Sequence, residues 1–299
     1  MLKITLLLIS ISFSTQLFAL IGGEVAKAGE GAGVFQIVVQ DNKNADINNQ
    51  CTATKIREDV LLTAAHCFGN IQERSGILGF TTKIDNSDFD FEGVEISKVV
   101  IHSSYVLEVK IETQDSSNDE NSLGTDEDEL GSDQIDMAIV FLKTGTSFGK
   151  IATREIDYEF VNPNASVEIW GYGCQRSTNS IDDYSPLKKH GTSKTLEQVI
   201  LGKNYGRLTT AVHNEANIIY QNNILTAGLN IDSKASSVCF GDSGGPLFKD
   251  GKLVGVNTTY LAKGMDQNGK SPSGKTDVNY HQRLSVVKDW LKEELSKEK

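Results

Sequence analysis

Apolar runs in this chain are short and widely spaced. Val34–Gln40, Val60–Thr63, Val99–His102, Met137–Leu142, Ser166–Gly171 and Leu253–Thr259 are rich in β-branched and large apolar residues and lie between turn-forming stretches. Runs of this length fit strands rather than helices, so most of the chain reads as all-β. Helical spacing emerges only at the end, where Val286, Val287, Trp290, Leu291 and Leu295 form one stripe across residues 285–298. With 299 residues and 38% hydrophobic content the chain can bury a substantial core. Its net charge of −11 argues against nucleic acid or an anionic membrane as the main partner.

The first residues read as a leader. Met1-Leu2-Lys3 is a short positive start, Ile4 to Phe13 is an apolar run too brief to span a bilayer, and Leu17-Phe18-Ala19 resembles a signal-peptidase site. Residues 1–19 are therefore expected to be a signal peptide. The mature protein is expected to be exported, secreted or periplasmic, with no membrane attachment after removal. Four cysteines form an even set, which in an exported chain suggests two disulfides. No Cys-x-x-Cys spacing is present, and neither metal nor cofactor is expected.

The densest chemistry lies in Cys239-Phe240-Gly241-Asp242-Ser243-Gly244-Gly245-Pro246-Leu247. A serine hydroxyl attacks a carbonyl only with a base to take its proton and donors to hold the resulting oxyanion. Gly241 lets the backbone pass close to a substrate, so the N–H groups of Gly241 and Ser243 can face one small space. The candidate base is His66, delivered by the apolar run Val60-Leu61-Leu62-Thr63-Ala64-Ala65. The candidate partner is Asp136, an acid at the head of Met137–Leu142, where a buried carboxylate could fix the imidazole tautomer. His102, His190, His213 and His281 lack such surroundings and read as surface or structural residues.

Thr63-Ala64-Ala65-His66-Cys67, Asp136-Met137-Ala138-Ile139-Val140 and Gly241-Asp242-Ser243-Gly244-Gly245-Pro246, in that order, resemble the three signature blocks of the chymotrypsin/trypsin family of serine peptidases. The likeness runs from Leu20 to Trp290 and suits a secreted, bacterial-type member of the S1-type peptidases. It implies two antiparallel six-stranded β-barrels over residues 20–150 and 151–284, a C-terminal helix over 285–298, and a cleft between the barrels. It also implies a monomer that hydrolyses polypeptides through a covalent acyl-enzyme, with Ser243 as nucleophile, His66 as base, Asp136 as orienter and Gly241 and Ser243 as oxyanion donors. Two other readings remain at this point: an esterase-type hydrolase, and a catalytically silent binding protein on a protease scaffold.

The resemblance carries further expectations. Cys51–Cys67 matches the family's bridge beside the catalytic histidine, a short closure worth roughly 3 kcal/mol. The family's architecture brings the loop after Trp170-Gly171 near the segment before the nucleophile, which implies Cys174–Cys239. Cleavage after Ala19 would expose Leu20-Ile21-Gly22-Gly23, and the α-amino group of Leu20 would pair with Asp242. Ser237 matches the base of the primary substrate pocket, with Thr258 and Tyr260 along its wall. Between Tyr105 and Asp136 the chain is longer than the family usually allows and carries Asp115, Asp119, Glu120, Asp126, Glu127, Asp128, Glu129 and Asp133, which read as a solvated loop without regular Ca²⁺-loop spacing.

Overall fold

The computed structural model describes residues 20–27, 29–40, 48–68, 77–81, 92–105, 134–143, 152–174, 189–196, 221–261 and 277–297. The expected signal peptide, His213 and the acidic insertion from Asp115 to Asp133 lie outside them.

The first half is a closed barrel of β2 (Val34–Gln40), β3 (Asn48–Arg57), β4 (Val60–Thr63), β7 (Ala138–Leu142), β6 (Glu92–Ile101) and β5 (Ile77–Thr81), paired in that order. Strand β7 shows why its sequence is apolar at every position. Successive side chains leave a strand on opposite faces. Ala138, Val140 and Leu142 fill the barrel interior with Phe35, Ile37 and Leu61. Ile139 and Phe141, on the other face, join Val60, Leu62, Trp170, Tyr172, Phe248 and Val256 in a second core shared with the other half of the molecule. Both faces are buried, so alternation disappears and a continuous apolar run remains.

The second half is an antiparallel sheet of seven strands: β1 (Glu24–Val25), β9 (Lys189–Lys194), β8 (Ser166–Gly171), β11 (Pro246–Lys249), β12 (Lys252–Leu261), β13 (Val278–Arg283) and β10 (Asn223–Ala227). Six strands were expected here. The seventh is the two-residue β1, which pairs with β9 and so belongs to this sheet rather than to residues 20–150 as a block. The sheet curls until Thr195, just past β9, bridges Thr226 of β10. The architecture is thus mostly β with a trypsin-like pair of packed sheets.

The terminal helix α1 (Lys288–Lys297) packs Leu291 into the shared core with Val287, while Val286 is exposed. Arg57 of β3 donates Nη1–H to the Leu295 carbonyl at 3.1 Å, satisfying an end carbonyl that has no partner within the helix. Among the described residues no helix is long and apolar enough to cross a membrane.

Candidate active site

Strand β4 delivers the chain through Ala64 into a single 3₁₀ turn, Ala65–Phe68, which carries His66. Thr63 closes the corner by donating its hydroxyl to the Thr52 carbonyl at 2.8 Å, and the disulfide Cys51–Cys67 ties the turn to β3. Asp136 precedes β7, which pairs with β4, so strand pairing brings the two residues together. Asp136 is 1% exposed. Its Oδ1 accepts the His66 backbone N–H at 2.9 Å and its Oδ2 lies 2.7 Å from His66 Nδ1. An ionised carboxylate only accepts, so this contact assigns a proton to Nδ1 and makes Nε2 the acceptor nitrogen of the ring. Gln282 Oε1, from β13, accepts the Asp136 N–H at 3.1 Å and fixes the acid from the opposite half of the molecule.

Ser243 sits on the turn before β11, half-buried, and this turn is docked directly on the first barrel. Thr52 donates its N–H to the Ser243 carbonyl at 2.7 Å and its hydroxyl to the Gly241 carbonyl at 2.8 Å. Cys67 Sγ lies 4.0 Å from that Ser243 oxygen, placing the His66 turn beside the serine. Gly244 makes the approach possible: it has φ +81°, and a Cβ there would collide with Thr63 Oγ1 and the Thr52 carbonyl. Gly241 has φ 89°, a conformation that disfavours a side chain. Asp242 N–H, Gly244 N–H and Gly245 N–H donate to Cys239, Asn257 and Asp242 carbonyls. Among the described residues the N–H groups of Gly241 and Ser243 donate to nothing, and no hydrogen bond joins Ser243 to His66. A half-buried hydroxyl with two unspent donors on the same turn can receive a carbonyl oxygen as it gains charge.

Asp242, fully buried, points away from that space. Gly173 N–H reaches its Oδ1 at 2.7 Å and Cys239 N–H its Oδ2 at 2.9 Å. Burial pushes its pKa up to about 7, while those two bonds and the charge of Lys189 oppose the rise. The disulfide Cys174–Cys239 joins the same two segments. Cys51, His66 and Cys67 place three donor atoms within 4.8 Å of one another, but both sulfurs are spent in a disulfide and offer no thiolate to a metal.

Leu20 is buried in the core of the second half with Val238 and beside Phe240, and Ile21 exchanges two backbone hydrogen bonds with Ser237 at 3.0 and 2.9 Å. Ser237 is buried and its Oγ accepts Leu229 N–H at 2.9 Å. Thr258 donates to the Tyr280 carbonyl at 3.0 Å. The Tyr260 ring meets Phe240 edge-on at 5.8 Å, placing an aromatic pair next to the Ser243 turn.

Several positioning residues escaped the sequence reading. Thr52 had no local signal beyond its neighbour Cys51. Asn257 interrupts the apolar run of β12, and that interruption was the available clue: its Nδ2 donates to the Trp170 and Asp242 carbonyls, and its Oδ1 meets His281 Nδ1 at 2.8 Å. His281 in turn lies 2.9 Å from Thr226 Oγ1, and burial pushes its pKa down to about 3, so it is a neutral structural link. Residues 20–290 match the family model for trypsin. The chain therefore belongs to the trypsin family and is a serine-protease-type hydrolase.

Proposed function

We propose that the protein is an exported serine endopeptidase. Ser243 Oγ attacks the peptide carbonyl while its proton passes to His66 Nε2, and the carbonyl oxygen, now negative, takes the free N–H groups of Gly241 and Ser243. The C–N bond then breaks, His66 returns the proton to the leaving amine, and an acyl-enzyme remains on Ser243. Water attacks that ester with His66 again accepting the proton, which releases the acid and restores the serine. Asp136 holds the imidazole tautomer and stabilises the imidazolium. The observation that carries this reading is the buried Asp136 carboxylate gripping both the backbone N–H and Nδ1 of His66.

Residues 1–19 act as the leader in this reading, residues 20–299 form the peptidase, and the two halves meet near residue 150. Removal of the leader frees the α-amino group of Leu20 to pair with Asp242. Support comes from Leu20 already lying buried next to the segment Ser237–Cys239, held by the Ile21–Ser237 pair. Ser237, Thr258 and Tyr260 form the primary pocket, which holds no carboxylate among these three.

A phosphonylating serine reagent tests the reading. Labelling confined to Ser243, together with cleavage of a denatured polypeptide, supports an endopeptidase. Labelling with turnover of small esters alone supports an esterase, and no labelling supports a silent binding protein.

A further inference from the structure

Four polar side chains meet in the interior of the second half of the molecule. Asn257, Thr226, Asn279 and His281 are all fully buried. Strand geometry brings them together: Asn257 of β12 stands opposite His281 of β13, Asn279 lies two residues before His281, and Thr226 of β10 stands opposite Asn279. Opposed residues, and residues two apart on one strand, project to the same face of a sheet.

The hydrogen bonds among them run in one direction only. Val238 N–H donates to Asn279 Oδ1 at 2.9 Å, and Asn279 Nδ2 faces Thr226 Oγ1 at 3.0 Å, the Ser236 carbonyl at 3.1 Å and the Ala227 carbonyl at 3.3 Å. At the other end Asn257 Nδ2 spends its hydrogens on the Trp170 and Asp242 carbonyls, at 3.0 and 3.2 Å. The amide oxygen of Asn257 can only accept, so the proton of the His281 ring sits on Nδ1, 2.8 Å away. Nε2 then accepts, and the Thr226 hydroxyl donates to it at 2.9 Å. Burial agrees with this arrangement, because it keeps the imidazole neutral. A chain that starts at a backbone N–H and ends at backbone carbonyls cannot reverse.

Its end at Asp242 bears on the chemistry. The Asp242 carbonyl and the Ser243 N–H belong to one peptide unit, planar and trans, so fixing the oxygen aims the hydrogen the opposite way. Gly245 N–H reaches that oxygen at 2.9 Å, and Asn257 supplies the second donor. Two donors occupy both lone pairs of the carbonyl and restrain the peptide plane from turning. Gly245 leaves room for the approach: a Cβ there would lie 2.9 Å from Asn257 Nδ2 and 2.3 Å from the Trp170 oxygen. At its start the chain holds Ser237 on both sides, through Val238 N–H and the Ser236 carbonyl.

We infer that Asn257 is a positioning residue that aims the Ser243 N–H at the developing oxyanion, and that His281, Thr226 and Asn279 brace Asn257 against the peptides flanking Ser237. A break in the middle of the chain therefore slows catalysis from a distance. This rests on the nucleophile reading of Ser243. All four side chains are buried and act through the backbone, not on substrate.

The test uses the whole exported protein with Asn257→Leu, Thr226→Val and Thr226→Ser. The readouts are kcat and KM on a peptide ester, the urea midpoint, and the affinity for a peptide aldehyde, which adds to a serine hydroxyl and leaves its oxygen facing the oxyanion donors. Asn257→Leu should lower kcat by about 10- to 100-fold, approaching the loss of a whole donor, with KM little changed and aldehyde affinity reduced by a similar factor. Thr226→Val, which cuts the chain at its middle, should lower both by about tenfold. Thr226→Ser keeps the hydroxyl and should recover most of that loss. A structural role alone would lower the urea midpoint without moving kcat of the folded enzyme. Unchanged kcat in either folded variant overturns the inference, as does a fall in kcat without the matching loss of aldehyde affinity, or a Thr226→Ser no better than Thr226→Val. Should Asn257→Leu fail to fold, the two Thr226 variants decide alone. If a fluorophosphonate does not label the unsubstituted protein at Ser243, the nucleophile reading falls and this inference with it; a labelled protein whose variants keep their kcat overturns this inference only.

Discussion

Thr52 N–H donates to the carbonyl of Ser243 at 2.7 Å, so a strand of the first barrel holds the backbone of a residue that belongs to the second sheet. Its hydroxyl adds a bond to the Gly241 carbonyl and accepts Tyr172 N–H at 3.2 Å. One threonine thus fixes both ends of the peptide pair that carries the free donors.

Thr52→Val keeps the shape and the N–H but removes the hydroxyl and with it the bonds to the Gly241 carbonyl and Tyr172 N–H. Stability should fall by about 1–3 kcal/mol. The turn should lose its register as well, and kcat should drop by about 10- to 100-fold with a smaller change in KM. Urea unfolding and steady-state kinetics on the same preparation check both. Unchanged kcat in a destabilised protein would confine Thr52 to a structural role.

Ser243→Ala and His66→Ala should each remove nearly all hydrolysis while the protein stays folded, and the double variant should be little worse than either single one. Roles that act as a unit are lost as a unit. Turnover of a peptide ester that survives in Ser243→Ala would end the assignment.

Gln282→Leu removes the acceptor for Asp136 N–H without touching His66 or Ser243. Asp136 should then lose its fixed orientation, lowering kcat by about tenfold or more. Gln282→Glu, which retains the acceptor, should recover more activity than Gln282→Leu.

With Ser237, Thr258 and Tyr260 proposed as the primary pocket, no charge lies among its residues, and cleavage should then not concentrate after Lys or Arg. A peptide-library profile should favour uncharged residues before the scissile bond. Dominance of Arg in that profile would point to an acid outside these three, and Asp277→Asn would show whether it is Asp277.

His281 is held neutral in the fold, with its pKa pushed by burial from 6.5 down to about 3. The unfolded chain takes up a proton below 6.5, so the stability from this site is present above that pH. It is lost as pH falls toward 3, by about 1.4 kcal/mol per pH unit. Urea midpoints between pH 7 and 5 should show this slope, and His281→Asn should flatten it by one proton. An unchanged slope in the variant would mean that His281 does not carry the acid sensitivity.

The strands legible in the sequence were those carrying runs of β-branched and large apolar residues, most plainly the two buried on both faces. β4 and β7 read as strands because Val60, Leu61, Leu62, Ile139, Val140 and Phe141 alternate between two apolar cores. β9 and β13 did not. Their sequences, KHGTSK and VNYHQR, look solvated, yet Lys189, Asn279, His281 and Gln282 are all buried, matched by partners from distant segments. Local sequence cannot report partners that folding supplies. The candidate site divided in the same way: His66, Asp136 and Ser243 stand in distinctive local blocks, whereas Thr52 and Gln282 act across the two halves and Asn257 ties together distant segments of the second.

The disulfide Cys174–Cys239 joins the two segments whose N–H groups, from Gly173 and Cys239, grip Asp242. Oxidation of these thiols therefore does more than add stability. It clamps together the nest that grips the Asp242 carboxylate beneath the Ser243 turn, and so ties the shape of that turn to the redox state of its surroundings. With these thiols reduced, the two jaws of that nest are no longer held to one another, and the turn loses the clamp beneath it.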